Sequence, residues 1–164
     1  MSIEEKELQD YLFNNTGKIG IKKTDLTHKE FGIMPYGYID IIAFSTAYNK
    51  LLISVVELKT DSFRASHLTQ LYRYCTGIDD LFDDYEKRIV PILVNKESTT
   101  STDDDVYLMN MAPGVRFYEY DLCIDNGIKI KRTCPVWTIN KEWSAETTNN
   151  YARLVTKIPK RHRL

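Results

Sequence analysis

The amino-acid order predicts an α/β (α+β) fold, running helix, strands with one hairpin, helix and strand, followed by further strands and a helix. Three observations carry this expectation. Leu51 to Lys59 is rich in β-branched and aliphatic residues and holds no Gly or Pro, the composition of a largely buried strand. Tyr38 to Ser45 is a second apolar run, and the polar break at Asn49-Lys50 suits a tight reversal, so the two runs read as a hairpin. Leu68, Leu71, Tyr72 and Cys75 then recur at helical spacing ahead of a third apolar run, Arg88 to Val94.

The remaining elements follow in chain order. Ser2 with Glu5 three residues on fits a capping box, and the helix it opens runs to about Asn14. Ile3, Leu8, Tyr11 and Leu12 form its buried stripe, and Asn15-Thr16-Gly17 ends it. Lys18 to Lys22 alternates like a strand, Glu30 to Ile33 enters another, and Met34-Pro35-Tyr36-Gly37 is a turn into the run that holds Asp40. Ser62 is the chosen cap of the second helix, which ends near Thr76-Gly77. Pro91 predicts an edge position or an irregularity in the strand that carries it. Glu97 to Asp105 is a polar loop, strands follow near Val115–Tyr120 and Ile128–Arg132, and a helix spans about Lys141 to Val155.

A length of 164 residues predicts one domain over 1–164, with a core of about 2–95, an elaboration of about 106–156 and a basic tail at 157–164. No apolar run approaches the roughly 20 residues that a membrane helix needs, and the acidic start Met1-Ser2-Ile3-Glu4-Glu5 is unlike a signal peptide. A soluble, cytoplasmic protein with no membrane partner is therefore expected. Cys75, Cys123 and Cys134 are odd in number and form no C-x-x-C, which argues for reduced thiols and against structural zinc. Net charge is −1, although Lys157, Lys160, Arg161 and Arg163 concentrate four positive charges at the end. Affinity for nucleic acid must come from such local patches rather than from a general field.

The chemistry-bearing residues lie between Gly37 and Tyr74. Strand alternation puts Ile53, Val55, Glu57 and Lys59 on one side, and the hairpin brings Asp40 beside Glu57. Two carboxylates and an ammonium at one end of a sheet are costly to leave unpaired in a dry environment. A divalent cation is one candidate to compensate them, and a partly buried ion pair is the plain alternative. Gln70 and Tyr74, at i and i+4, share a helix face. Asp79, Asp80, Asp83, Asp84 and Glu86 lack the glycine and terminal glutamate of a calcium loop and read as a solvated face. No G-x-S-x-G or phosphate-binding glycine loop occurs, and His28, His67 and His162 sit in no supporting motif.

Asp40, Glu57-Leu58-Lys59 and Gln70-x-x-x-Tyr74 together resemble the PD-(D/E)xK nuclease superfamily, specifically its RecB-like and NucS-like branch. The similarity extends to Glu5–Leu12 and so covers roughly Ser2 to Tyr74. Ile39 stands where the name-giving signature has a proline, a departure shared by many members of the branch. The resemblance implies a restriction-endonuclease-like α-β-β-β-α-β core with a mixed central sheet flanked by helices. It implies hydrolysis of phosphodiester bonds with Mg²⁺ or Mn²⁺, in DNA rather than RNA.

By the same resemblance, Asp40, Glu57 and the backbone carbonyl of Leu58 are metal ligands, and Lys59 stands beside the attacking water. Gln70 holds that water or the lysine, and Tyr74 contacts a phosphate or the nucleic-acid backbone. A glutamate of the first helix reaches the metal site; Glu5 is the choice over Glu4 and Glu7, although all three equally favour a helix N-terminus. Lys157, Lys160, Arg161 and Arg163 are the candidate phosphate contacts of the tail. Tyr36 and Tyr38 are explained as well by core packing as by a place in the groove. With no separate recognition domain visible, a homodimer or a partner protein is expected to supply specificity. The competing readings are an inactive binding or protein-interaction module on the same fold, and a nuclease acting on RNA or cyclic nucleotides.

Overall fold

The structure, a computed structural model, describes residues 3–22, 24–97, 109, 112, 114–123, 127–133 and 142–146. The elements are α1 (Glu5–Phe13), a 3₁₀ turn (Thr16–Ile19), β1 (Leu26–Ile33), β2 (Gly37–Ala47), β3 (Lys50–Leu58), α2 (Ala65–Leu81), β4 (Lys87–Lys96), β5 (Arg116–Cys123) and β6 (Gly127–Arg132). The strands form a six-stranded sheet in the order β1-β2-β3-β4-β5-β6. Pairing is antiparallel from β1 to β3, parallel from β3 to β5, and antiparallel again between β5 and β6. The α2 crossover between β3 and β4 is what makes that pair parallel.

Two apolar layers cover the sheet. Leu68, Leu71, Tyr72 and Cys75 of α2 pack on Ile42, Ile53, Val55, Ile89 and Leu93. On the other face Leu8 and Leu12 of α1, with Ile19 and Ile21, pack on Ile41, Ala43, Val56, Leu58, Ile92 and Val94. A strand covered on both faces reads as a continuous apolar run rather than an alternating one, and Ile53 to Leu58 is buried throughout. Within this run Glu57 is the charged residue, and its parity with Ile53 and Val55 turns it to the α2 side.

The local starts and stops differ from the sequence expectations for identifiable reasons. Glu4 is the N-cap of α1, with its N–H donating to Glu7 Oε2 at 3.2 Å, so the capping pair lies two residues later than Ser2-Glu5. Ile19, the last residue of a 3₁₀ turn, and Ile21, just past its Gly20 cap at φ 80°, are both buried, but not in a strand. The β2–β3 reversal turns on Tyr48 and Asn49, at φ 51° and 63°, one residue earlier than expected. Two left-handed central residues match the right-handed twist of the flanking strands.

Arg64, rather than Ser62, is the N-cap of α2, because Phe63 first drops into the core and His67 then accepts the Arg64 N–H on Nδ1 at 3.2 Å. Gly77 does not end α2. A Cβ at Gly77 would lie 2.7 Å from Tyr36 Cδ2 and 2.8 Å from Ile33 Cγ1, so the glycine lets the helix press onto the β1–β2 turn. Pro91 is internal to the sheet, opposite Val55, one residue before the β4–β5 ladder begins at Ile92. The expected strands near 115–120 and 128–132 are β5 and β6. Residues 142–144 are not helical and helix begins at Ala145, later than Lys141; the rest of that helix, Ser2, most of the polar loop and the tail with Lys157, Lys160, Arg161 and Arg163 lie outside the described residues. No described helix is long and apolar enough to cross a membrane.

Candidate active site

The two reversals decide which residues meet. Reflection through the Tyr48-Asn49 turn pairs Ile41 with Val56, so Asp40 and Glu57 are the next residues outward. Beyond the ladder, Asp40 Oδ2 accepts the Leu58 N–H at 2.7 Å, which fixes the carboxylate at the end of β3. The N–H and C=O of one strand residue point to the same edge, so the Leu58 carbonyl is directed toward β2 as well. From α1, the buried Gln9 donates Nε2–H to the Asp40 backbone carbonyl at 2.9 Å, tying the first helix to the site.

Glu57 is 2% exposed, its Oε1 meets Lys59 Nζ at 2.9 Å, and its Oε2 has no hydrogen-bond partner. A buried carboxyl oxygen left without a hydrogen-bond partner is expensive, and either a proton shared with Asp40 or a bound cation would satisfy it. Burial, then repulsion from Asp40, push the Glu57 carboxyl well above its ordinary range, against the pull of Lys59. The Asp40 carboxyl is raised too, by burial first and by Glu5, with the Leu58 N–H holding it down. Burial disfavours the charge on Lys59, but the Glu57 hydrogen bond and the charges of Glu57, Glu5 and Asp40 outweigh it and raise the lysine. Lys59 is therefore a cation here, not a neutral base.

These groups open onto a cavity of about 470 Å³ lined by Glu5, Glu30, Tyr38, Asp40, Glu57, Lys59, Gln70 and Tyr74. Of the sequence candidates, Glu5, Asp40, Glu57, Lys59, Gln70 and Tyr74 thus face one space, while Leu58, Glu4 and Glu7 do not line it. Gln70 donates Nε2–H to the Tyr74 hydroxyl at 2.8 Å. The Tyr74 ring is 3% exposed, and burial is the main reason its phenol is raised, so its work is to hold Gln70 more than to present a surface.

Glu30 was not among the sequence candidates. It faces Asp40 where the β1–β2 ladder lapses between Lys29–Ile41 and Phe31–Ile39, and it takes φ 53°. A left-handed non-glycine residue costs on the order of 1–3 kcal/mol, a form of strain that clusters at functional sites. The signal was available: reflection through the Met34-Pro35-Tyr36 turn places Glu30 opposite Asp40.

The segment from Lys59 to α2 is held by a buried histidine. His67 Nδ1 meets Asn95 Nδ2 at 2.8 Å in addition to the Arg64 N–H, and its Nε2 faces Asp61 Oδ1 at 3.4 Å. Accepting on Nδ1 leaves the proton on Nε2, and burial, the largest influence, lowers the imidazole to about 4. A neutral His67 thereby fixes the distance from Lys59 to the helix of Gln70. The acidic patch is largely a solvated face, with Asp79 paired to Lys87 and Glu86 to Lys50. Among the described cysteines, Cys75 and Cys123 are free thiols.

The residues fit a hard divalent cation in part of its shell. Asp40 and Glu57 offer oxygens at one point, one of them without a partner, and the Leu58 carbonyl is directed to the same edge. Among the described residues no three His, Cys, Asp or Glu side chains converge as a full ligand set. Two carboxylates with water in the remaining positions is the habit of Mg²⁺ rather than of zinc.

The sheet order, with one helix on each face and carboxylates at the end of the central hairpin, defines a restriction-endonuclease-like fold. A solved structure with this fold is that of a repair endonuclease from Pyrococcus abyssi, at a TM-score of 0.52 and 22% identity over 71% of this chain and 46% of that one. The structure of an EndoMS–double-stranded DNA complex aligns with a TM-score of 0.45 and 24% identity over 57% of this chain and 36% of that one. This chain thus spans less than half the length of either. No protein-family model and no curated protein sequence matches.

Proposed function

We propose that this chain is a metal-dependent nuclease that hydrolyses phosphodiester bonds, with DNA as its substrate. The observation that carries the reading is the partnerless buried Oε2 of Glu57, set beside Asp40 and a charged Lys59 in an open acidic cavity. The fold shared with a repair endonuclease supports both the activity and the choice of DNA.

Asp40, Glu57 and the Leu58 carbonyl would hold Mg²⁺ or Mn²⁺. Bound there, such an ion polarises a phosphodiester and lowers the pKa of its water. The chain's own groups do the rest. The Leu58 N–H and Gln9 keep Asp40 from swinging away from Glu57. Lys59, held by Glu57, orients the attacking water and offsets negative charge as it develops on the phosphate. Gln70, with one N–H committed to Tyr74, keeps its carbonyl oxygen for the water or the lysine. Glu5 adds negative charge to the cavity from α1, and the basic residues Lys157, Lys160, Arg161 and Arg163 are the chain's candidate phosphate contacts. Specificity comes from a second copy or a partner protein.

The test is incubation of the purified protein with single-stranded and double-stranded DNA and Mg²⁺ or Mn²⁺. Cleavage should appear, vanish with EDTA and return with excess metal. Cleavage indifferent to EDTA, or no cleavage of either DNA, overturns the reading.

A further inference from the structure

Ser54 is a polar residue on the otherwise apolar α1 side of β3, between Leu52 and Val56. It is 8% exposed, and its hydroxyl bonds no other described residue. Buried hydroxyls are normally partnered. This one lines a second cavity, of about 640 Å³, together with Ser45 and the cations Lys22, Arg88 and Arg116. Among the described residues Asp25 is the one carboxylate that lines it. Parity and distance set this cavity apart from the acidic one. Asp40 shares the parity of Ile42, on the α2 side, whereas Ser45 shares that of Ile41 and Ala43, on the α1 side. Five residues of extended strand then separate Asp40 from Ser45 by about 17 Å.

The three cations come from three elements, so the fold itself gathers them. The left-handed Gly20 seats the Lys22 segment against β5: a Cβ there would lie 2.7 Å from Tyr118 Oη and 3.7 Å from Arg116 Nη1. Lys22 pairs with no described carboxylate. Glu142 Oε1 lies 3.3 Å from Arg88 Nε, but Glu142 does not line the cavity and its side chain is 67% exposed. Such an ion pair in water contributes little, and like charges held together favour an anion between them.

We propose that this cavity is a second binding site, for a phosphate monoester group, and that it works without a metal ion. The proposal does not depend on the nuclease reading. Three cations and one carboxylate leave a net charge of +2 around the cavity. A monoester carries about −1.5 to −2 at pH 7 and nearly cancels it, whereas a diester brings a single negative charge. Two guanidinium forks and an ammonium offer charged donors for the three terminal oxygens of a monoester, and Ser54 adds a hydroxyl. Ala43 and Val90 make the floor partly apolar, which suits the organic part of such a ligand. Cavities of this size commonly hold small molecules.

The experiment is calorimetric titration in EDTA, so that no divalent ion draws phosphate to Asp40 and Glu57. Inorganic phosphate and thymidine 5′-monophosphate should bind, and thymidine should not. Lys22→Ala and Arg88→Ala should each weaken phosphate binding about tenfold, the scale of one charge-assisted hydrogen bond. Lys22 is exposed, so its variant should melt with the wild type and report on binding alone. Glu142→Gln, which releases Arg88, should strengthen binding. An oligonucleotide with and without a 5′-phosphate separates the two sources of a monoester. A gain from the 5′-phosphate that Lys22→Ala removes assigns the site to a strand end. Nucleotide binding without that gain assigns it to a free phosphorylated molecule. Phosphate and nucleotide that bind no better than thymidine, or that bind Lys22→Ala as tightly as the wild type, overturn the proposal.

Discussion

Glu57→Ala is expected to abolish metal binding and cleavage together, and Asp40→Ala to do the same from the other side of the pair. Losing the electrophile forfeits several kcal/mol of transition-state stabilisation, a rate loss on the order of a thousandfold or more. The apo protein should respond in the opposite direction. Both carboxyls are raised above their ordinary values in the folded state, so the fold binds protons there more tightly than the unfolded chain. Their contribution to stability is therefore fully present below the ordinary carboxylate range and is lost as pH rises through the raised values. Thermal melts of the metal-free protein between about pH 5 and about pH 8 should show that decline, and Glu57→Gln should flatten it. A Glu57→Gln variant that keeps the wild-type slope, or still cleaves at the wild-type rate, contradicts the assignment.

Lys59→Ala should separate what Glu57→Ala merges. Its ammonium stabilises charge that exists fully only in the transition state, so its loss should lower kcat by about a hundredfold or more and leave KM near its wild-type value. Metal binding should persist, because the carboxylates that hold the ion remain. Steady-state kinetics beside calorimetric Mn²⁺ titration checks both halves. A raised KM with unchanged kcat would make Lys59 a plain phosphate contact.

How much of this was legible in the sequence depends on what each feature needed. Parity alone placed Glu57, on β3, and Lys59, one residue past its end, on one side, and a tight reversal after Ala47 sufficed to bring Asp40 beside them. Those are local rules, and a one-residue error in the turn did not change the outcome, since the hydrophobic parity of β2 and β3 pins the register. Where tertiary packing outbid local propensity, the sequence misled. Gly77 looks like a helix stop, but its lack of a side chain serves the contact with Tyr36 and Ile33. Ile19 and Ile21 alternate like a strand because both are buried, yet one ends a 3₁₀ turn and the other follows its Gly20 cap. Pro91 sits inside the sheet because the β5 ladder starts only at the next residue. Glu30 and His67 carry no motif; their roles exist only once β1 lies against β2 and once Asp61 and Asn95 close around the imidazole.

The proposed mechanism requires one ion between Asp40 and Glu57. Its most direct measurement is a crystal of the protein grown with Mn²⁺, with anomalous scattering used to locate the metal. The predicted result is a peak within ligand distance of an Asp40 carboxylate oxygen, Glu57 Oε2 and the Leu58 carbonyl, absent in Glu57→Ala. No peak there while the same preparation cleaves DNA, or a peak held elsewhere in the cavity and unmoved by Glu57→Ala, would contradict it.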